Sequence, residues 1–187
     1  MMTLPFFTIG HSNRSLAEFI ALLRSARIER VVDIRKMPMS RANPQFNHDE
    51  LSAALAEVQI GYEHVAALGG LRGRRPALPL EINGFWQNRS FHNYADYALS
   101  DAFRKGLEHL RAEGHRKRCA MMCAEAVWWR CHRRIVSDYL IAQGETVFHI
   151  MGEGRFEEAH LTSGAEPQPD GTVIYPAAGE PVDKTGS

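Results

Sequence analysis

Apolar positions follow two rhythms along the first 150 residues. Short apolar runs occur at LPFFTIG, RVVDIR, IGYEHV, CAMMC and TVFHIM, and each reads as a strand, the first of them buried. The third, IGYEHV, is the weakest of them. Between the runs the spacing changes to that of helices. Leu16, Phe19, Ile20 and Leu23 fall at i, i+3, i+4 and i+7 behind Ser15, with Glu18 at the capping-box position. Leu51, Leu55 and Val58 form a second stripe behind Asn47, with Glu50 in the third helical place. A helix around residues 100–112 buries Phe103, Leu107 and Leu110, and RRIVSDYLIAQG forms another that stops at Gly144.

Strand and helix therefore alternate. That order predicts an α/β fold, a three-layer sandwich around a mostly parallel sheet of about five strands. The pattern gives one domain over residues 1–163 and a loose C-terminal extension over 164–187, rich in Gly, Pro and Asp. One stretch, Leu68 to Asn93, has no sustained period and reads as a long loop insertion, a type of segment that usually carries function.

Composition narrows the class. Lys and Arg total 22 and Asp and Glu total 22, so no net charge advertises a polyanionic partner and any anion affinity has to be local. The start MMTLPFFTIGHS lacks a charged region followed by a long apolar run, so no signal peptide is expected. No apolar run is long enough to span a bilayer, and no membrane partner is expected. Three cysteines argue against a disulfide framework. Together these place the chain in the cytoplasm.

Polar chemistry collects where the strands end, which is where open α/β sheets bind ligands. His11 and Ser12 follow the first strand, and Asp33 and Arg35 close the second. The third leads towards Gly69, Gly70 and Arg72. Cys123 and Glu125 end the fourth, ahead of Cys131, His132 and Arg133, and His149 lies near the end of the fifth. The motifs TIGHS, VVDIRKMPMSR, FN, GYEHVAALGG and MCAEAVWWRCHR occur in that order. Over about residues 8–151 the chain resembles the domain of unknown function 488 family. The resemblance implies a single α/β domain common in bacteria and archaea, and it brings no established reaction.

The candidate chemistry is of four kinds. Cys123, at a strand end facing a helix N-terminus, is a candidate nucleophile with His132 as its base. CAEAVWWR even suggests a phosphatase loop, but its spacing is one residue too long, it lacks glycine, and Glu125 would repel phosphate. Cys123, Cys131 and His132, with His11 or Glu125, are competent metal ligands. No close cysteine pair exists, however, and neighbouring Cys131 and His132 would point apart on a helix, so neither a structural metal nor a cofactor is expected. Asp33 and Arg35 share one strand face, as an anion clamp or as an internal salt bridge. Finally, Arg72, Arg74, Arg75 and Arg89 alternate with Phe85, Trp86 and Phe91 in the long loop. That loop reads as a cover for the pocket and a surface for nucleotides or single strands, or as a solvated charge run beside an apolar plug.

The expected function is an enzyme, or a former enzyme, acting on an anionic substrate such as a nucleotide or nucleic acid. Catalysis is assigned to His11, Asp33, Cys123, Glu125 and His132, and substrate binding to Ser12, Arg35, Gly69, Gly70, Arg72 and Arg133. A rival reading is a non-catalytic nucleic-acid-binding module that uses the loop arginines. A further rival is a Cys/His metal-binding protein.

Overall fold

In the computed structural model, which describes residues 3–177, all five apolar runs form strands. They are β1 (Phe6–Gly10), β2 (Arg30–Asp33), β3 (Gly61–His64), β4 (Cys119–Cys123) and β5 (Val147–Gly152). Their order in the sheet is β3-β2-β4-β1-β5, and every neighbouring pair is parallel. A sixth strand, β6 (Arg155–Glu158), turns back at Gly154 and pairs antiparallel with β5 at the edge. Its sequence RFEE is exposed along its whole length, so no apolar rhythm announced it.

Successive side chains on a strand point to opposite faces, and this divides the core in two. Phe7, Ile9, Ala120 and Met122 face α1 (Leu16–Ser25) and α2 (His48–Glu57), where they meet Phe19, Leu23, Leu51 and Leu55. Phe6, Cys119, Met121 and Cys123 face the other way. There they join Tyr94 of α3 (Arg89–Tyr97), Phe103 and Leu110 of α4 (Asp101–Arg116), and Ile135 and Leu140 of α5 (Arg133–Ala142). The architecture is the three-layer α/β sandwich.

Local chemistry sets most helix starts. Ser15 accepts the amide of Glu18, Asn88 accepts those of Ser90 and Phe91, and Ser100 accepts that of Phe103. Asn47 precedes α2 as expected but does not cap it, because its side-chain oxygen takes the Ser40 amide at 2.6 Å instead. The long loop is also less irregular than its sequence. It holds a 3-10 turn at Leu80–Asn83, and its last residues begin α3.

The expected loose extension is corrected over its described part, residues 164–177. β7 (Glu166–Pro167) and β8 (Val173–Ile174) form a small hairpin, and Val173 and Tyr175 are fully buried. The Tyr175 hydroxyl donates to Asp138 on α5 at 2.8 Å, and the Tyr175 amide donates to the side chain of Asn83 at 3.0 Å. Residues 178–187 of that expectation lie outside the described part. Among the described residues no helix is long and apolar enough to cross a membrane.

One buried histidine gives the fold a pH dependence. His149 on β5 lies flat against Trp128, 4.5 Å between ring centroids, with its Nδ1 2.6 Å from the Thr8 hydroxyl. Burial, with Arg133 nearby, lowers its pKa from 6.5 to about 3. Folding thus keeps this ring neutral while the unfolded chain protonates it, so stability falls as pH drops below 6.5 and keeps falling towards about 3. Urea unfolding should show a loss of about 2 kcal/mol between pH 6.5 and about 4.5 attributable to this ring. His149→Gln should remove that part of the slope; an unchanged slope would refute the assignment.

Candidate functional site

Chain direction places a crevice between β1 and β4. From β1 the chain crosses to β2 through α1 on one face of the sheet. From β4 it crosses to β5 through α5 on the other face. Neighbouring strands whose connections leave in opposite directions open a gap at their carboxyl ends. The two strand ends stay joined just beyond the sheet, His11 N donating to Cys123 O at 2.9 Å and Ser12 N to Ala124 O at 3.0 Å. Gly10 makes the passage possible, since a Cβ there would stand 1.8 Å from the Glu125 carbonyl oxygen. A pocket of about 640 Å³ opens at this point, with His11, Arg35, Cys123, Glu125, Cys131 and His132 in its wall.

One side of the pocket is a buried charge assembly. Asp33 is fully buried, and its two carboxylate oxygens accept Arg35 Nε at 2.9 Å and Arg35 Nη2 at 2.7 Å, a bidentate fork. The Arg35 amide and the Tyr62 hydroxyl also donate to Asp33. Arg35 Nη2 donates to Phe46 O as well, and Nη1 reaches His11 Nε2 at 3.3 Å. A guanidinium only donates, so His11 Nε2 accepts and the proton of this neutral ring sits on Nδ1, which donates to Ser12 O at 2.7 Å. Burial lowers the His11 pKa, and Arg35 lowers it further. Burial opposes the charge of Arg35, but the Asp33 fork outweighs it and keeps the guanidinium protonated. Among the described residues one Nη1 hydrogen is left without an acceptor, on a side chain that lines the pocket.

The floor is built of sulfur. Cys123 Sγ, at the end of β4, lies 2.6 Å from Cys131 Sγ, just ahead of α5. Arg133 is buried behind both. Its Nη1 donates to Cys123 Sγ and to Glu125 O, each at 2.6 Å, and its backbone amide donates to Cys131 Sγ at 3.4 Å. That amide belongs to the first residue of α5, so the Cys131 sulfur also meets the positive end of the helix. Burial works to raise both thiols. For Cys131 it is overcome by the Cys123 thiol and Arg133, which bring its pKa down to about 7, while Cys123 is held above its ordinary value. Above about pH 7 the pair therefore shares one proton and one negative charge beside the guanidinium.

His132 stands next to this charge. Its Nε2 donates to Ile34 O at 2.8 Å, which fixes the tautomer and leaves the Nδ1 lone pair 3.5 Å from Cys131 Sγ. Burial lowers its pKa and keeps the ring neutral. The expectation that Cys131 and His132 point apart is corrected here. Cys131 is extended (φ −122°, ψ 147°) and precedes the helix instead of lying on it.

The remaining candidates divide. Glu125 lines the pocket at its exposed edge, and Gly70 lines it beside the His132 ring, with room for a Cβ only 3.0 Å from Nδ1. Gly69 is set back; a Cβ on it would meet Lys36 Cα at 2.6 Å. Ser12 turns the chain at φ +48° and offers its carbonyl to His11, not its hydroxyl to the pocket. Asp33 and Arg133 sit one layer behind the wall. Arg72 does not enter: its guanidinium donates to Ala66 O and Gly69 O and lies 3.9 Å over the Tyr97 ring. Arg74 and Arg75 are exposed and do not line the pocket either. Trp86 is buried and stacked on Phe91 at 4.8 Å, so the loop aromatics pack inward.

Sequence reasoning missed Lys36, which with Arg130 adds cationic groups to the wall, and the apolar residues Met37, Met39, Leu71 and Tyr94 beside Phe91. It also paired Cys123 with a histidine and not with Cys131. The available signal was a strand-end cysteine and a pre-helix cysteine bracketing one short loop. Among the described residues no three His, Cys, Asp or Glu side chains form a group able to hold a metal ion. A family model described as domain of unknown function DUF488 matches residues 15–140. No curated protein and no solved structure matches the chain.

Proposed function

For a chain that belongs to the domain of unknown function DUF488 family, we propose an enzyme that acts on a small anionic substrate, of nucleotide size, through the Cys131 thiolate. The observation that carries this reading is the Cys131–His132–Ile34 carbonyl series, with Arg133 behind it, on the floor of the strand-end pocket. A nucleophile, a base within reach and a group that orients the base are what covalent catalysis needs. In the step proposed, His132 Nδ1 takes the thiol proton and Cys131 Sγ bonds to an electrophilic centre of the substrate. The leaving group departs with that proton. Water, deprotonated by the same Nδ1, then breaks the S–substrate bond and returns the thiolate.

The free Nη1 hydrogen of Arg35, with Lys36 and Arg130, supplies the attraction for the anion. Phe91, Tyr94, Met37, Met39 and Leu71 suit a flat or apolar part of the same molecule. The volume, about 640 Å³, falls in the range of small-molecule sites and is short for a nucleic-acid strand. Arg72 and Trp86 are committed within the protein, which weakens the nucleic-acid-module reading. Three free cysteines suit the reducing cytoplasm, the location we propose.

Binding of mononucleotides and of short single strands across a salt series tests the reading. Mononucleotides should bind wild type and the Arg72/Arg74/Arg75→Ala variant equally, and about tenfold more weakly when Lys36 and Arg130 are both alanine, the order expected for two partly exposed charges. Steeply salt-dependent strand binding lost in the loop variant alone would instead establish the binding module.

A further inference from the structure

We propose that Cys123 and Cys131 are a redox couple that closes reversibly to a disulfide in the floor of the pocket, with hydroperoxides as the oxidant. The inference rests on Cys131 being the reactive sulfur, and it adds a second oxidation state that would switch that sulfur off.

Geometry is the main support. The two sulfurs are 2.6 Å apart, between the bonded distance of about 2.05 Å and ordinary non-bonded contact. Cys123 is fixed at the end of β4, which is paired on both sides, and Cys131 just ahead of α5, so two ordered elements hold the sulfurs beside each other. Both sulfurs line the pocket although the residues are only 2% and 5% exposed, so a small oxidant reaches them through the cavity alone. The charge shared beside Arg133 makes one of them a thiolate near neutral pH, the form that reacts. Cys119 has none of this. It begins β4 at the opposite edge, and burial pushes its pKa up to about 11. The odd number of cysteines thus resolves into a pair and a core residue. In a reducing compartment such a pair is expected to be transient, catalytic or sensing, not structural.

The chemistry balances in two steps. Cys131 thiolate attacks the terminal peroxide oxygen, the O–O bond breaks, Cys131 becomes a sulfenic acid that keeps the peroxide proton, and the departing alkoxide takes a proton from water and leaves as the alcohol. Cys123 then attacks the Cys131 sulfur, the S–O bond breaks, and hydroxide leaves with the Cys123 proton as water. The dithiol loses two electrons and the peroxide gains them. A low-molecular-weight thiol supplies the electrons for the return.

The test is full-length protein treated with a small excess of hydrogen peroxide, then iodoacetamide, followed by intact-mass and peptide mapping. Wild type and Cys119→Ser should each lose two hydrogens, show a linked Cys123–Cys131 peptide, and regain both thiols with dithiothreitol. Cys123→Ser, checked for folding by circular dichroism, should instead yield a Cys131 sulfenic acid that dimedone traps. Peroxide-treated wild type with Cys131 as sulfinic acid and no linked peptide, or with both thiols still alkylated, would overturn the couple. In that case Cys131 that still alkylates quickly leaves the nucleophile reading intact. Cys131 that neither alkylates nor oxidises would overturn both.

Discussion

Asp33→Ala should destabilise the protein by about 3–5 kcal/mol, the cost of leaving a buried charge without its partner. Among the described residues Asp33 is the sole carboxylate on Arg35, whose side chain is 7% exposed, so little water can take the place of the lost oxygens. Tyr62 loses its acceptor in the same change, and the Arg35 amide loses another. His11 is aligned by Arg35 Nη1, so the pocket wall should loosen along with the fold. Urea denaturation with a constant m-value measures the loss. Removing both charges together, as Asp33→Leu with Arg35→Met, should restore a large share of the stability, because the penalty lies in the unpaired charge and not in the absence of the pair. A cost below about 1 kcal/mol for Asp33→Ala would match an exposed pair and refute the buried fork. A double variant no more stable than the single would refute the charge argument.

The same pair illustrates what could be read from the chain. A two-residue spacing on a strand fixes which face Asp33 and Arg35 share, and strand ends fix which sheet edge carries His11 and Cys123. These are local rules, and they hold before any packing is known. What the sequence did not disclose was settled at long range. Arg72 was free to face a pocket or its own chain, and the Ala66 and Gly69 carbonyls with the Tyr97 ring decided it. Cys131 looked like a helix residue beside His132. An extended residue after the 3-10 turn Trp128–Arg130 brings its sulfur back to Cys123. Helix α3 was hidden because its core residues include Asp96, which is buried only because Asn83 donates to it. Tyr175 was hidden in a polar stretch, since its burial depends on Asp138 and Asn83 far away in the sequence.

Arg133→Met should move the titration of the reactive thiol upward by about two pH units, the usual effect of losing a close opposite charge. Arg133 supports the shared negative charge from a fully buried position, and without it only the Cys123 thiol and the backbone amide of residue 133 oppose burial at Cys131. The midpoint for Cys131 should therefore leave about 7 and rise towards about 9. At pH 7 the thiolate fraction would drop from about one half to roughly one hundredth. Reactivity would drop less, because a more basic thiolate is a better nucleophile. A Brønsted slope of 0.4–0.5 over two units recovers about eightfold, which leaves the variant roughly sixfold slower. The two rate profiles must then cross. Above about pH 9 most thiols of the variant are ionised, and its more basic thiolate should overtake the wild type. The measurement is the initial rate of reaction with an uncharged disulfide reagent from pH 6 to about 10, in a Cys119→Ser background. Profiles that keep a common midpoint would show that the Arg133 charge does not govern the sulfurs. A variant slower at every pH would show that it has lost the arrangement of the floor and not merely its charge.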